Sequence, residues 1–324
     1  MRMSPVLRRS LLLAALALAA AGPAAAQEYP DRPIRMVTPY APGGTTDLLA
    51  RLIGQRLGER LGQSVVIENR GGGNTVIGSS LVAKAPADGY TIMLMAMPHV
   101  IVPLLFQTPY HPINDFTPVA AVAANEQVLV AHPSLPVKDV KELVALARGK
   151  PGELNFATVD SGGPGHLLME SFNNMIGAKM TQVPFKGAGP AINAIRGNQV
   201  QLYLAVPGPI VPTIKSGALK AIAVSGKSRM AALPDVPTFA EQGLANFDAK
   251  TWYGILAPAG TPRPIVQKLS GEIQRIMAAP DIQERLENLS VMPFVLGPDQ
   301  LGELMRSDMA RYKSIIETNN IKIQ

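Results

Sequence analysis

From Ile34 onward, short apolar runs alternate with amphipathic stretches along almost the whole chain. Ile34 to Thr38 predicts a strand and Pro39 to Gly44 a turn. Asp47 to Leu61 predicts a helix, because Leu48, Leu49, Leu52, Ile53, Leu57 and Leu61 recur at the spacing that gathers them on one face. Gly62 ends that helix in the usual way. Val65 to Ile67 predicts a second strand, Gly71-Gly72-Gly73 a flexible turn, and Asn74 the cap of a helix over Val76 to Ala85. After a turn at Asp88-Gly89, Thr91 to Ala96 predicts a third strand. This strand-helix-strand-helix-strand order predicts a parallel sheet wrapped by helices.

A proline-rich stretch from Pro98 to Pro118 separates that unit from a second one. Here Gln127 to Ala131, Asn155 to Val159, Thr181 to Phe185, Gln201 to Val206 and Lys220 to Ser225 predict strands. Lys138 to Arg148, Gly165 to Gly177 and Gly189 to Arg196 predict helices between them. The chain then runs through a strand at Trp252 to Ala257 into helices near Pro264 to Met277, Asp281 to Leu289 and Pro298 to Glu317. Two α/β units of comparable size predict two lobes around a cleft. In open α/β sheets, ligands bind beyond the carboxyl ends of the strands. Such a cleft gathers helix N-termini, whose free N–H groups and partial positive charge suit carboxylates without any arginine.

Two glycine-rich loops stand at such places. Pro42-Gly43-Gly44-Thr45-Thr46-Asp47 lies between the first strand and its helix, and Val159 to His166 repeats the device in the second unit. Glycine lets the backbone turn its N–H groups toward a ligand at close range. Gly44 or Thr45 as cap and Asp47 in the first turn equally suit a helix start with no ligand at all. Asp160-Ser161-Gly162-Gly163-Pro164 mimics the nucleophile segment of chymotrypsin-like proteases. Those enzymes are β-barrels, whereas Ser161 lies in an alternating α/β pattern and has no nucleophile elbow around it. The chain is therefore not expected to be an enzyme, and no catalytic residue is assigned.

His99, His111, His132 and His166 lack metal-ligand spacing, so no metal site is expected. Gly71-Gly72-Gly73 is not followed by Lys-Ser/Thr, which argues against a nucleotide loop. No cofactor is expected. Trp252 and Tyr253 fit either a cleft lining or core packing.

The first 26 residues predict a cleaved export signal. Arg2, Arg8 and Arg9 are followed by an apolar run from Leu11 to Ala21, a Gly22-Pro23 break and Ala24-Ala25-Ala26. That run falls short of the roughly 20 residues of a membrane helix. Cleavage before Gln27 leaves 298 of the 324 residues, enough for two ordinary domains, and places the mature protein in the periplasm. Three of the 30 basic residues and none of the 24 acidic ones leave with the signal, so the mature net charge is +3. This mild excess and the absence of basic runs argue against a nucleic-acid partner. With no cysteine, disulfides, lipid attachment and thiolate metal sites are ruled out. Aromatics at 5% disfavour a sugar receptor built on stacked rings.

Several segments carry a family resemblance. They are Tyr29-Pro30-Asp31-Arg32-Pro33-Ile34-Arg35, Pro42 to Asp47, Val66-Ile67-Glu68-Asn69-Arg70-Gly71 and Ala87-Asp88-Gly89-Tyr90-Thr91. Further along come Phe185-Lys186-Gly187, Leu233-Pro234-Asp235-Val236-Pro237-Thr238, Trp252-Tyr253-Gly254 and Ala257-Pro258-Ala259-Gly260-Thr261-Pro262. In this order they resemble the Bug-type extracytoplasmic receptors of tripartite tricarboxylate transporters. The resemblance implies a type II periplasmic-binding-protein fold, with lobe one over 27–127 plus 250–324 and lobe two over 128–249. It implies a monomer that captures a small carboxylate, such as a dicarboxylate or an aromatic acid, and delivers it to membrane permease subunits. A protein that presents its ligand to a signalling ectodomain is the alternative.

Carried over position by position, the family's site falls on Ala41, Gly43, Gly44, Thr45, Thr46 and Asp47 in one lobe. In the other it falls on Ser161, Gly162, Gly163 and His166, with Pro207 and Gly208 toward the variable end of the pocket. Two positions depart from the pattern: Asn193, where an acid is common, and Gln201, where Val-Asp is usual. If those acids read a ligand amino group, an amino acid ligand is disfavoured here.

Overall fold

The structure is a computed structural model that describes residues 29–321 apart from 160–162, 246, 248 and 290. The expected export signal lies outside the described residues. Among the described residues, no helix is long and apolar enough to cross a membrane.

The first unit forms as the pattern predicts: β1 (Ile34–Thr38), α1 (Thr45–Leu61), β2 (Val65–Asn69), α2 (Val76–Ala83) and β3 (Thr91–Ala96). β1 lies between β2 and β3, parallel to both, with Ile34 opposite Val65 and Arg35 opposite Thr91. α1 buries Leu49, Leu52, Ile53 and Leu57, whereas Leu48 is 40% exposed. Gly62, at φ +69°, closes α1 by donating its N–H to the Gly58 carbonyl. α2 begins at Val76 as expected but ends at Ala83, and Thr75 rather than Asn74 stands at the cap position.

The proline-rich stretch is more regular than its composition predicts. It holds α3 (Pro98–Leu105), with Pro98 in the first turn, where no N–H is needed. Most of β4 (Phe116–Asn125) follows, a strand whose run of alanines and Pro118 hides it from a propensity reading.

The second sheet contains β5 (Val128–Ala131), β6 (Asn155–Thr158), β7 (Thr181–Pro184), β8 (Leu202–Ala205) and β9 (Lys220–Val224), in the order β7-β6-β8-β5-β9. Its helices are α4 (Val140–Gly149), α5 (Pro164–Ile176), α6 (Ala188–Arg196) and α7 (Pro207–Lys215). The chain then returns through β10 (Thr251–Pro258), α8 (Arg263–Met277), α9 (Pro280–Asn288), β11 (Met292–Leu296) and α10 (Pro298–Thr318). β10 inserts antiparallel between β3 and β4, and β11 covers the free edge of β4, giving a first sheet in the order β11-β4-β10-β3-β1-β2. The chain passes between sheets twice, at Glu126–Gln127 and again between β9 and β10.

Alternation along each strand sorts the core. Ile92, Leu94 and Ala96 face one apolar cluster of the first sheet, while Met93 and Met95 face another. Leu129 and Ala131 of β5 join that second face, whereas Val128 and Val130 belong to a cluster confined to the second sheet. One core is thus continuous across both sheets. α10 seals it, packing on β4, α3 and α5 and burying Leu301, Met305 and Tyr312.

Trp252 and Tyr253 belong to this interior rather than to a cleft surface. The Trp252 indole donates from Nε1 to Asp308 of α10 at 2.7 Å, and Arg311 approaches the same carboxylate at 3.1 Å. Replacing Asp308 with alanine leaves a buried indole N–H without that acceptor. The variant should lose about 1–3 kcal/mol of stability in urea unfolding. A loss under about 0.5 kcal/mol would show that α10 is not fastened there.

Candidate ligand-binding site

The loop from β1 to α1 is held in shape by one carboxylate. Asp47, only 3% exposed, accepts from the Gly43 N–H at 2.9 Å, from Arg51 Nε at 3.1 Å and from Asn69 Nδ2 at 3.0 Å. Asn69 also donates to Thr38 Oγ1 at 2.7 Å, so the loop is tied to the ends of β1 and β2. Burial pushes the Asp47 pKa up, but those three donors outweigh it and hold the group below its ordinary value. Gly43 takes φ +86°, a conformation natural to glycine. The side chain of Asp47 is therefore engaged by the protein, and what the loop offers a ligand is backbone.

α1 starts on Gly44 and α5 on Gly163, both extended, and neither helix has a side-chain cap. By contrast, α4 is capped by Asp139, which accepts from the Glu142 N–H. Glycine at the cap position supplies no side-chain acceptor of its own to the first-turn N–H groups of either helix. Thr45 interacts with the hydroxyl of Tyr253, to which Asn125 Nδ2 also donates at 3.0 Å, and burial pushes that phenol up to about 12. Thr46 is buried in the first turn of α1.

Ala41 and Pro42 from the first loop and Gly163 and Pro164 from the second line a single cavity of about 690 Å³. That volume is within the ordinary range for small-ligand sites, roughly 300–1,000 Å³. Three other groups of wall residues are absent from the expected set. Pro39 and Tyr40 end β1, Gly71, Gly72, Asn74 and Thr75 follow β2, and Pro98, Ile101, Val102, Leu105 and Phe106 come from α3. Gly71 packs tightly here: a Cβ there would lie 3.1 Å from the Ala41 nitrogen and 3.2 Å from the Tyr40 carbonyl carbon, so the first loop would have to shift by a few tenths of an ångström. The triple glycine is thus a wall rather than a free turn.

Of the expected residues, Gly43, Gly44, Thr45, Thr46, Asp47, His166, Pro207 and Gly208 are not part of this lining. Ser161 and Gly162 fall outside the described residues. His166 is buried on α5 with Nε2 3.8 Å from Glu170. Pro207 and Gly208 form the first turn of α7, buried and exposed respectively. Asn193 is exposed on α6, and Gln201 accepts from the Asn155 N–H at 3.0 Å. Neither lines the cavity.

A model of the tripartite tricarboxylate transporter family receptor matches residues 49–321. The chain belongs to that family. As a solute receptor it is not an enzyme, in line with the rejected protease reading of Ser161. BugT of Bordetella pertussis is 34% identical over 307 residues, 94% of each protein. Among solved structures, R. palustris Rpa4515 with adipate superposes at TM-score 0.73 with 34% identity, over 91% of this chain and 99% of that one. MatC from Rhodopseudomonas palustris with bound malate superposes at 0.68 with 33% identity, over 89% and 100%.

The buried imidazoles set a pH limit on the receptor. Burial lowers the His166 pKa from 6.5 to about 4. It does the same for His99, opposed by the Pro112 carbonyl that accepts from Nε2 at 3.1 Å. The unfolded chain therefore binds more protons below pH 6.5, and stability should fall as pH drops from 6.5 toward 4. His166→Gln should flatten that limb in denaturant titrations at several pH values. An unchanged slope would mean that His166 protonates freely in the folded protein.

Proposed function

We propose that this receptor captures a small carboxylate in the cavity between the β1–α1 and β6–α5 loops. The observation that carries the reading is the pair of helices that start on uncapped glycines, with residues of both loops lining one cavity. Their partial positive ends suit a carboxylate. The relatives solved with adipate and malate support the same chemistry.

We further propose that the mature protein begins at Gln27 and works in the periplasm as a monomer. It delivers its ligand to the membrane permease of a tripartite tricarboxylate transporter. The lobes, 27–127 plus 250–324 and 128–249, turn about the two crossing segments, and contacts made by both loops at once favour the closed form.

A thermal-shift screen of mono-, di- and tricarboxylates on the mature protein tests this. Ligand at 100 times its Kd should add about 2.7 kcal/mol. Response to sugars or cations with silence across carboxylates would remove the reading. Gly44→Val supplies a local control, because a Cβ at Gly44 meets nothing nearer than 3.9 Å and φ is −81°. The variant should fold, losing about 1 kcal/mol or less, and bind at least tenfold more weakly. Wild-type affinity in a folded Gly44→Val protein would place the ligand elsewhere.

A further inference from the structure

A second cavity, of about 320 Å³, opens where the chain crosses between the sheets, and it shares no lining residue with the first. Its walls come from both sides of the crossings. Met292 and Phe294 belong to β11, Glu126 to the first crossing, and Gly226, Phe239 and Phe247 to the segment between β9 and β10. Phe239 and Phe247 meet edge to face with centroids 4.6 Å apart and are 1% and 4% exposed, so this side is an aromatic surface packed into the core.

One carboxylate is set among these rings. Glu126 is half-buried, and burial pushes its pKa up against the pull of the Lys250 charge. Among the described residues it accepts no hydrogen bond, and its oxygens keep accessible surface. It rests against the strand leaving the second sheet, where a Cβ at Gly226 would collide with it. A carboxylate drawn out of bulk water ordinarily gathers donors, as Asp47 gathers three. Glu126 keeps its acceptor capacity unused at the cavity wall.

The neighbouring charges restrict what can approach it. The Lys250 ammonium lies 5.1 Å from the Phe294 ring centroid, and the exposed Lys227 lines the same cavity. An entering cation meets both ammonium groups, and an entering anion meets the carboxylate; away from bulk water such like-charge contacts grow more costly. A neutral donor avoids both. Its hydrogen bond to an ionised acceptor is roughly twice as strong as one between neutral groups. The rings favour an aromatic body, and Met292, 40% exposed, adds a thioether that packs well on ring edges.

We propose that this cavity is a second binding site, for a small uncharged aromatic molecule whose hydroxyl or ring N–H donates to Glu126 while its ring packs on Phe239, Phe294 and Met292. The site is independent of the carboxylate site, and neither reading requires the other.

Phenol, anisole, benzoate and benzylammonium are probes of similar size that differ in donor and charge. They are titrated at neutral pH into the mature protein labelled at its methionine methyl groups and followed by NMR. Phenol should shift the Met292 signal, which is assigned by its loss in Met292→Leu. It should bind at least about tenfold more tightly than anisole, which lacks the donor, and than either charged probe. A Met292 signal that phenol leaves unmoved, or equal affinities for phenol and anisole, overturns the proposal. Tighter binding of benzoate or benzylammonium at the same signal overturns it too, by giving the cavity to an anion or a cation. None of these outcomes touches the carboxylate reading, which is tested at the other cavity.

Two variants locate the contact. Glu126→Leu removes the acceptor at similar size and should abolish the preference for phenol over anisole. Gly226→Ala keeps the carboxylate but displaces it. The variant should fold, because the group that must move is the end of a flexible side chain and Gly226 is not in the left-handed region. It should lose several-fold affinity for phenol and keep that for anisole. A full preference for phenol that survives in either folded variant overturns the assignment of Glu126.

Discussion

β10 enters the first sheet only after the chain has left it, built the second sheet and come back. Tyr253 to Leu256 then pair with Ala96 to Met93 of β3, and Thr251 to Pro258 with Asn125 to Phe116 of β4. Until that happens, β3 and β4 face each other with rows of unpaired N–H and C=O groups, which buried backbone does not tolerate. The pairing joins segments more than a hundred residues apart, so its closure entropy must be met by a large buried return. It also fixes the geometry between the sheets. Thr251 lies opposite Asn125, so the two crossings leave the first sheet side by side. Asn125 is held there through the Tyr253 hydroxyl, and Trp252 of the same strand anchors α10. A pair of adjacent crossings defines an axis about which two lobes can turn.

Helical periodicity exposed the helices that bury one face, and an unbroken apolar run exposed β3, which buries two. α1 and β3 were legible because leucine spacing and a β-branched or apolar run leave few alternatives. β4 is buried along most of its length and built from alanine, valine and proline, so it shows neither alternation nor strand propensity. α3 and α7 were obscured by Pro98, Pro103, Pro207 and Pro212, residues a helix accepts in its first turn and tolerates further on at the cost of a hydrogen bond. β11 is a five-residue edge strand beginning Met292-Pro293, and a proline there reads as a break until its partner β4 is known.

The site was legible where it depends on local chemistry and illegible where it depends on topology. Glycine at Gly43, Gly44 and Gly163 announces helix starts that a ligand can approach. Nothing in the order of residues says that the end of β2 and the helix after β3 will stand beside those starts. That follows from β1 lying between β2 and β3, which puts three successive loops at one end of the sheet. Asn74-Thr75 after three glycines was the available signal for a wall. It reads as a capped turn unless the positive φ values of both residues are known.

A receptor has to release what it holds, and this restricts how charge is arranged in its cleft. A lysine or arginine fixed in a water-poor cavity binds a carboxylate through a full charge, and Coulomb attraction grows steeply as the dielectric falls. A helix start offers about half a charge, spread over several N–H groups that water satisfies again once the lobes part. The acid on the first loop follows the same logic. Asp47 would repel a carboxylate if its charge faced the cavity, but Gly43, Arg51 and Asn69 surround it, so its charge shapes the loop without confronting the ligand. His99 completes the arrangement behind the wall. With Nε2 donating to the Pro112 carbonyl, Nδ1 is left to accept from the Ser79 hydroxyl of α2 at 3.5 Å, and burial keeps the ring neutral down to about pH 4. No titrating charge from His99 then alters the potential beside Thr75 as the surroundings acidify. In the proposed site, affinity is then left to backbone dipoles and to the ligand's own ionisation.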